Sequence, residues 1–462
     1  TGGVAALILV AAVHLEKRTD LKLWHEAYLD AEFRADSAVS DLEGYLALEE
    51  TLFRQLERQV LDRLPPTDRG PVNRYQRGSL TDPGRWERNW NRTFELASAG
   101  PAAGVLLLHG MSDAPYSLRA IGTELNAKGA WVLGLRLPGH GTVPSGLVRV
   151  TWEDMASAVR LAMRHLRERV GDKPLFMIGY STGGALAVEY TLTQLDRPAL
   201  PAVEKIVLIS PAIRVTRLAA LSVWQGRIGR WLGADKLAWN SIQPEYNSYK
   251  YNSFAINAGV QVHRLTTTLQ QRLAAVRRSD KRLRFPPVQT FQSVVDATVS
   301  TPAVITDLYR HLTNQGDELV LFDINRRSGV LSLLATDPLD PIQALLEPED
   351  GRYRITLVTN QNPNSSTVVD MPLKGGAPTA AILPWRWPEG VHSLAHIALP
   401  FPADDPLYGE IAHAMNPGIA LSRVVLRGEK NVLQIPADEI LRMRWNPFYP
   451  YLSLRMMAFP GL

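Results

Sequence analysis

Ser181 is the residue whose setting most directly indicates chemistry. It lies in Gly179-Tyr-Ser-Thr-Gly183, directly after the apolar run Leu175-Phe-Met-Ile178. A serine is set up as a nucleophile where a strand ends, a sharp turn lifts the hydroxyl and a helix begins. Glycines suit such a turn because side chains there would collide as the strand and helix approach each other. The alternative is an ordinary glycine-rich turn, but neither Gly-Lys-Ser/Thr nor G-x-G-x-x-G is formed here to indicate nucleotide binding.

A serine nucleophile also needs a base, a carboxylate that orients the base, and N–H donors for the oxyanion. In a turn of this type one donor is the N–H of the residue after the nucleophile, here Thr182. An earlier loop, Leu106-Leu-Leu-His-Gly-Met-Ser-Asp113, places the N–H of Met111 as the second donor. We interpret His109 in this loop as a residue that shapes the loop rather than as the base.

Repeated strand and helix patterns surround these residues. Short apolar runs predict buried strands at 105–108, 131–135, 175–178, 206–209, 288–291 and 319–322. Helical patterns follow at 117–128, 151–170, 183–195 and 302–312. Strands that are apolar on both faces belong to a parallel sheet covered on both sides, which predicts an α/β domain.

Three segments together resemble the α/β-hydrolase superfamily: "LLLHGMSDAPYS", "LRLPGHGTVPSG" and "GYSTGG". The resemblance is to its serine-hydrolase branch, with monoacylglycerol lipases and S33-type peptidases, and is strong from about 90 to 215. It implies the α/β-hydrolase fold, with a mostly parallel central sheet, helices on both faces and a helical cap insertion. It also implies the chain order nucleophile, acid, histidine. His140, in a loop common to the family, is interpreted as structural.

That order directs the search for the acid. Asp296 comes just past the predicted strand 288–291 and before a helix, as the family pattern requires. Asp323, on the next strand, is the alternative. We therefore predict Asp296 as the acid.

The histidine departs from the family pattern, because none appears soon after the strand 319–322. An excursion at 327–390 that returns to the site would explain the delay. Val391-His-Ser-Leu-Ala-His396 then offers His392 and His396. We predict His396 as the base, partly because its Ser-Leu-Ala-His setting is similar to that of related hydrolases, and keep His392 as the alternative.

Four regions are expected along the chain. Residues 1–64 form an N-terminal helical extension with a packing role, and 65–213 form the first part of the hydrolase core. Residues 214–284 form a helical cap over the site, and 285–462 complete the core with an insertion at about 327–390. Aromatic cap residues are candidates to line the acyl pocket or to form plain core: Trp224, Trp231, Trp239, Tyr246, Tyr249, Tyr251 and Phe254.

Composition narrows the partners. With 45% hydrophobic residues and a formal net charge of +4, the chain is mildly basic, and its arginines lack the clustering of a nucleic-acid footprint. The absence of cysteine excludes disulfides and thiolate metal sites. We expect no cofactor and no metal. The apolar run 3–13 is either the end of a membrane anchor or a buried helix; the first predicts membrane or cell-envelope association, the second a cytoplasmic protein.

The predicted activity is hydrolysis of carboxylic esters, of a lipid or another small molecule, through Ser181, His396 and Asp296 and an acyl-enzyme. An apolar cap favours a fatty or aromatic acyl group. One alternative is a serine peptidase or amidase on the same residues. Another is a non-catalytic module of the same fold that binds lipid or a protein.

Overall fold

A computed structural model describes residues 19–214, 235–346, 353–375, 379–410, 442 and 444–458. Twelve strands are formed within these ranges: β1 (Phe94–Leu96), β2 (Ala103–Leu108), β3 (Ala130–Leu135), β4 (Leu175–Tyr180), β5 (Lys205–Ile209), β6 (Trp239–Ser241), β7 (Phe254–Ala255), β8 (Val288–Ser293), β9 (Glu318–Phe322), β10 (Arg354–Asn360), β11 (Thr367–Lys374) and β12 (Ala381–Arg386). The six strands predicted from apolar runs are confirmed as β2, β3, β4, β5, β8 and β9.

Ten of these strands form one sheet in the order β1-β3-β2-β4-β5-β8-β9-β10-β11-β12. The seven consecutive strands β3, β2, β4, β5, β8, β9 and β10 of this sheet are parallel to one another. Strand β1 pairs antiparallel with β3 at one edge, and β10, β11 and β12 pair antiparallel at the other. Because the carboxyl ends of parallel strands share one edge, the loops after β2, β4 and β8 meet there. These loops carry the predicted site residues except His396, which follows β12.

Helices cover both faces of the sheet, as predicted. Eleven α-helices lie in the described ranges: α1 (Leu23–Glu26), α2 (Leu42–Leu56), α3 (Arg119–Ala127), α4 (Gly146–Arg149), α5 (Trp152–Val170), α6 (Thr182–Asp196), α7 (Ile256–Arg277), α8 (Thr301–Asp307), α9 (Ser328–Leu331), α10 (Asp340–Gln343) and α11 (Tyr449–Ala458). Alternate β2 side chains join opposite cores: Leu106 and Leu108 pack with α5, α6 and α7, whereas Val105 and Leu107 pack with α3 and α11. The chain has the predicted α/β architecture.

The N-terminal extension is less helical than its sequence pattern predicted. Between residues 19 and 64 the helices are the single turn α1 and α2, which continues as a wider π-helical turn through Glu57–Leu61. The Asp41 carboxylate accepts the Gly44 N–H at 2.8 Å and so caps α2 at its first turn. Residues 27–40 are instead held by contacts with the rest of the chain.

The strongest of these contacts is a buried cluster at Arg136. The Arg136 side chain is 1% exposed, and its guanidinium bonds Glu32 at 2.9 Å and Glu49 at 3.0 Å. It also donates to the His140 carbonyl at 3.0 Å, and Tyr45 donates its hydroxyl to the Arg136 carbonyl. A buried guanidinium needs partners of this kind. The extension therefore supplies both countercharges of an arginine in the hydrolase core.

The segment 214–284 contains one long helix in its described part. Helix α7 packs against α4, α5 and α6, and Arg272 on α7 bonds Glu189 and Asp196 of α6. Residues 239–255, which include β6 and β7, form an extended segment without a helix. This extended segment, rather than α7, borders the site described below. Trp224 and Trp231 lie outside the described residues.

The segment 327–390 adds three strands to the main sheet. Strand β10 continues the parallel order beside β9, and β11 and β12 follow as antiparallel strands. The chain then returns through residues 391–396, where Asn325 donates its N–H to the His392 carbonyl at 2.7 Å. This excursion and return agree with the expectation from the late histidine.

In the described ranges no helix is both long and apolar enough to cross a bilayer. The apolar run 3–13, interpreted above as an anchor or a buried helix, lies outside those ranges.

Candidate active site

Ser181 lies at the turn between β4 and α6 with a φ of 53° and a ψ of −117°. A positive φ is strained for a residue with a side chain, and such strain is common at functional sites. The turn is fixed from the neighbouring strand: the Ser181 N–H donates to the Ile209 carbonyl at 2.9 Å, and the Ser181 carbonyl accepts from Ala212 N–H at 3.0 Å. The backbone therefore has the geometry of a nucleophile elbow.

Close packing explains the two glycines. A Cβ at Gly183 would lie 2.0 Å from the Leu108 carbonyl oxygen, and a Cβ at Gly179 would lie 2.5 Å from the Gly183 carbonyl oxygen. Both obstacles are backbone atoms, which cannot rotate away. The steric role that the sequence suggested for these glycines agrees with these distances.

Asp296 and His396, 100 residues apart in the chain, meet at a distance of 2.7 Å between Oδ2 and Nδ1. The Asp296 side chain is fully buried and that of His396 is 5% exposed. Burial alone would raise the pKa of Asp296. The charge and hydrogen bond of His396, with the N–H groups of Val299 and Thr298, outweigh burial and lower this pKa below its ordinary value. Asp296 is therefore a carboxylate that accepts a proton-bearing Nδ1, so the Nε2 of a neutral ring is left as an acceptor.

The alternative base His392 and the alternative acid Asp323 are not part of this hydrogen-bonded pair. His392 is exposed. The buried Asp323 carboxylate bonds the Arg326 guanidinium, the Thr359 hydroxyl at 2.6 Å and its neighbouring backbone N–H. Asp323 thus acts within a local network after β9, with no histidine among these bonds.

The oxyanion donors predicted from sequence lie on two loops beside Ser181. Thr182 is the first residue of α6, where N–H groups have no intrahelical acceptor and the helix dipole favours negative charge. Neither the Thr182 N–H nor the Met111 N–H donates to another residue in the part of the chain that the structure describes. A Cβ at Gly110 would lie 3.1 Å from the Ser181 Cβ, so the loop after β2 approaches the serine closely.

His109 and His140 have the structural placement expected of them. His109 is 1% exposed, with Nδ1 2.8 Å from the Gly110 carbonyl and Nε2 accepting the Leu137 N–H at 3.1 Å. Burial lowers the pKa of His109 well below its usual value. With both ring nitrogens engaged, His109 fixes the loop of Met111 against the end of β3.

The Ser181 hydroxyl makes no hydrogen bond within the described ranges, and His396 contacts the neighbouring residue instead. The rings of Tyr180 and His396 are 5.3 Å apart between centroids. Catalytic hydrogen bonds are often long in the absence of substrate and tighten in the complex. The structure thus brings Asp296 and His396 together, with the His396 ring next to Tyr180, the residue that precedes Ser181.

A cavity of about 200 Å³ opens beside these residues. Six aromatic side chains line it: Tyr180, Tyr246, Tyr251, Phe254, Phe401 and Tyr408. Three of them belong to the aromatic cap residues singled out in the sequence. Two other aromatic cap residues do not line the cavity. Tyr249 stacks on Tyr116 with ring centroids 4.4 Å apart, and Trp239 is buried in the main core.

Charged residues that the sequence did not single out also line the cavity. They are Asp113, Lys250, Arg442 and Arg444. Lys250 Nζ lies 3.5 Å from Asp113 Oδ1. Burial raises the pKa of the Asp113 carboxyl, and Lys250 opposes this. The signal in the sequence was faint: Asp113 ends the loop of Met111, and Lys250 stands between two tyrosines.

Comparison with known proteins agrees with this geometry. The family model described as serine aminopeptidase, S33, matches residues 99–324, from shortly before β2 to just after β9. The match covers slightly less than half of the chain, which has the α/β-hydrolase fold. A thermostable monoacylglycerol lipase from Bacillus sp. (strain H-257) is 30% identical to this α/β-hydrolase over 178 residues, which are 38% of the chain and 66% of the lipase. The hydrolase therefore spans slightly less than two thirds of the length of that curated relative.

Solved structures are similar over half of this α/β-hydrolase. One, described with the metagenome-derived lipolytic enzymes LipS and LipT, is 24% identical, with a TM-score of 0.39, and covers 50% of this chain and 87% of its own. A soluble variant of monoglyceride lipase from Saccharomyces cerevisiae is 16% identical, with a TM-score of 0.37, and covers 50% and 81%.

Proposed function

We propose that this α/β-hydrolase cleaves carboxylic esters with Ser181 as nucleophile, His396 as base and Asp296 as the orienting acid. The observation that carries the proposal is the 2.7 Å bond from His396 to a buried carboxylate, where the His396 ring lies 5.3 Å between centroids from Tyr180, the residue before a serine held at positive φ. The identity with a monoacylglycerol lipase supports an ester as the substrate class.

Each residue has a defined role in the proposed reaction. His396 Nε2 takes the proton of the Ser181 hydroxyl as its oxygen attacks the ester carbonyl, and it later gives that proton to the leaving alcohol. Asp296 keeps the proton of the ring on Nδ1 and stabilises the imidazolium that forms. The N–H groups of Thr182 and Met111 stabilise the oxyanion, where one donor is worth ~100- to 1000-fold in rate. Water then releases the acid from the acyl-enzyme.

A fluorophosphonate probe tests the nucleophile. We expect the wild-type protein to be labelled and Ser181→Ala to be unlabelled and inactive towards 4-nitrophenyl esters. Ser112→Ala is the matched control, because it removes a hydroxyl on the facing loop and should leave labelling in place. Labelling that persists in Ser181→Ala would overturn the assignment, and a wild-type protein that does not label would favour a non-catalytic module.

The base is tested by a pair of neighbouring histidines. His396→Ala should remove turnover, since among the residues that the structure describes His396 carries the only imidazole that bonds Asp296. His392→Ala should retain most of it, because that side chain is exposed. The reverse result would move the base to His392.

The matching family description names an aminopeptidase, so amide cleavage is the second candidate. Initial rates on 4-nitrophenyl esters and on aminoacyl 4-nitroanilides separate the two activities. We expect the esters to be cleaved with the higher kcat/KM. A preference for the anilides would assign the site to peptidase or amidase chemistry.

We also propose that the apolar run 3–13 attaches the protein to a membrane, on the strength of its charged flank Glu16-Lys-Arg18. Full-length protein should sediment with membranes and require detergent for release, whereas protein that begins at Thr19 should not. Full-length protein that stays in the supernatant without detergent would refute membrane attachment.

A further inference from the structure

The loop after β2 contains a strained residue directly after the second oxyanion donor. Ser112, which follows Met111, has a φ of 63°, an angle that costs free energy for a residue with a side chain. On the other side of Met111, a Cβ at Gly110 would lie 3.1 Å from the Ser181 Cβ, so the loop has little room there. A change of φ at Ser112 would turn the chain on either side, and with it the Met111 N–H. The direction of this donor therefore depends on the contacts that hold Ser112.

A hydrogen bond from the extended segment 239–255 holds Ser112 through its backbone carbonyl rather than its hydroxyl. The Tyr251 N–H donates to this carbonyl at 2.8 Å. The buried Tyr251 hydroxyl reaches the loop after β3, where it accepts the Thr142 N–H at 2.7 Å and donates to the Gly139 carbonyl at 3.3 Å. Burial raises the pKa of this hydroxyl, so it keeps the proton that it donates. Tyr251 thus joins the loops after β2 and β3 to the extended segment.

The extended segment is itself held beside Tyr251 by residues that come before β1. The Arg74 guanidinium donates to the Lys250 carbonyl at 3.2 Å and lies 5.5 Å from the centroid of the Tyr251 ring. The Asn91 side chain donates to the Ser248 carbonyl at 3.0 Å. Because both acceptors are backbone carbonyls, these bonds fix the course of the main chain on which the Tyr251 N–H lies.

We propose that Tyr251 is a positioning residue for ester hydrolysis, which holds Ser112 in its strained conformation and so keeps the Met111 N–H directed at the oxyanion. The inference rests on the proposed function and deepens it. An oxyanion donor acts on the transition state more than on the bound ester, so poorer positioning should lower kcat and leave KM nearly unchanged. A purely structural role would lower stability alone, and a role in binding the ester would raise KM.

Tyr251→Phe removes the hydroxyl and keeps the ring. It should lower kcat on 4-nitrophenyl hexanoate about tenfold, part of the ~100- to 1000-fold that a whole donor contributes, and change KM by less than about twofold. An alkyl trifluoromethyl ketone, which binds to the serine as a tetrahedral anion, should bind about tenfold more weakly.

Tyr190→Phe is the matched control. The buried Tyr190 hydroxyl also donates to a backbone carbonyl, that of Pro201 at 2.8 Å, in the second half of α6 and away from the elbow. Urea denaturation should show a loss of stability in both variants, whereas kcat and the affinity for the ketone should fall in Tyr251→Phe alone.

A second variant tests the link through Ser112. Glycine adopts a positive φ without the cost that serine carries. In a Ser112→Gly background, Tyr251→Phe should therefore lower kcat by about threefold or less instead of about tenfold. A factor that stays the same in this background would overturn the inference.

The remaining outcomes separate this inference from the proposed function. Unchanged kcat in Tyr251→Phe, or a raised KM alone, would overturn the inference while leaving ester hydrolysis intact. Equal losses of kcat in Tyr251→Phe and Tyr190→Phe would do the same, because they would indicate a general effect of a lost buried hydrogen bond. Absence of any ester hydrolysis in the wild-type protein, with Ser181 unlabelled by fluorophosphonate, would instead refute the proposed function.

Discussion

Asp296→Asn should abolish most of the activity while leaving the site in place. Asp296 Oδ1 accepts the N–H groups of Thr298 at 2.8 Å and Val299 at 3.0 Å, and Oδ2 accepts from His396 at 2.7 Å and Gln292 at 2.9 Å. An asparagine has one acceptor for these two pairs of donors. If its oxygen keeps the backbone pair, its NH₂ group faces His396 Nδ1, which must then become an acceptor and move its proton to Nε2.

A ring protonated on Nε2 cannot take the proton of the Ser181 hydroxyl. Loss of the correct tautomer lowers kcat by about 10⁴-fold, equivalent to ~5 kcal/mol. Stability should fall much less, by about 1 to 3 kcal/mol, because the charge-assisted bonds to Asp296 become neutral ones. The expected signature is therefore a large loss of rate in a protein that still folds.

The assay is steady-state hydrolysis of a 4-nitrophenyl ester with a parallel urea denaturation curve. Asp323→Asn makes the same chemical change in another buried carboxylate, whose partners are Arg326 and Thr359. It should cost stability and leave kcat within a few fold. Retention of more than about a tenth of kcat in Asp296→Asn would refute the role of Asp296, and equal rate losses in both variants would indicate a general effect of buried charge.

Three further predictions concern the framework of the site. Arg136→Met should lower the free energy of unfolding by about 3 to 5 kcal/mol in chemical denaturation, because it leaves the buried Glu49 and the partly buried Glu32 without a countercharge. Gly183→Ala should lose activity and thermal stability, since its Cβ would lie 2.0 Å from the Leu108 carbonyl oxygen, whereas Gly70→Ala, with no atom within 4 Å of its Cβ, should change neither. Stability should fall as the pH drops from about 6.5 to 4, because burial lowers the pKa of His25 to about 4 and the unfolded chain binds the proton first; His25→Gln should remove up to ~3 kcal/mol of that dependence.

Each of these three has a result that would contradict it. A triple variant that adds Glu32→Gln and Glu49→Gln to Arg136→Met should recover stability if unpaired charge is the cause, and failure to recover it would point to lost packing. Active Gly183→Ala protein would show that the helix can move away from β2. A pH dependence unchanged by His25→Gln would assign the acid sensitivity to other groups, such as the buried His140, whose pKa burial also lowers to about 4.

Features set by local sequence were predictable. The apolar run before Ser181, the glycines around it and the helical pattern after it are consecutive, so strand, turn and helix could be inferred together. Asp296 was predicted as the acid from the chain order nucleophile, acid, histidine that the family resemblance implies, and from its position after a strand. The return of the chain at His396 was expected for the same reason, although no local pattern marks it.

Features made by distant residues were not predictable. Arg136 is 104 residues from Glu32 and 87 from Glu49, and no periodic pattern relates them. The pair of Asp113 and Lys250 joins two loops whose approach depends on the whole sheet. Strands β10 to β12 were obscured by polar residues and by one proline in each of β11 and β12, because strands near a sheet edge need not be apolar on both faces.

The Arg136 cluster shows that the region similar to known hydrolases is smaller than the region that packs together in this chain. The family model matches from residue 99, yet the anionic partners of a core arginine come from residues 32 and 49. A protein shortened to the region of similarity would retain a buried cation without its counterions. Residues 32–49 therefore belong to the packed core of this chain, although they lie before the region that the family model matches.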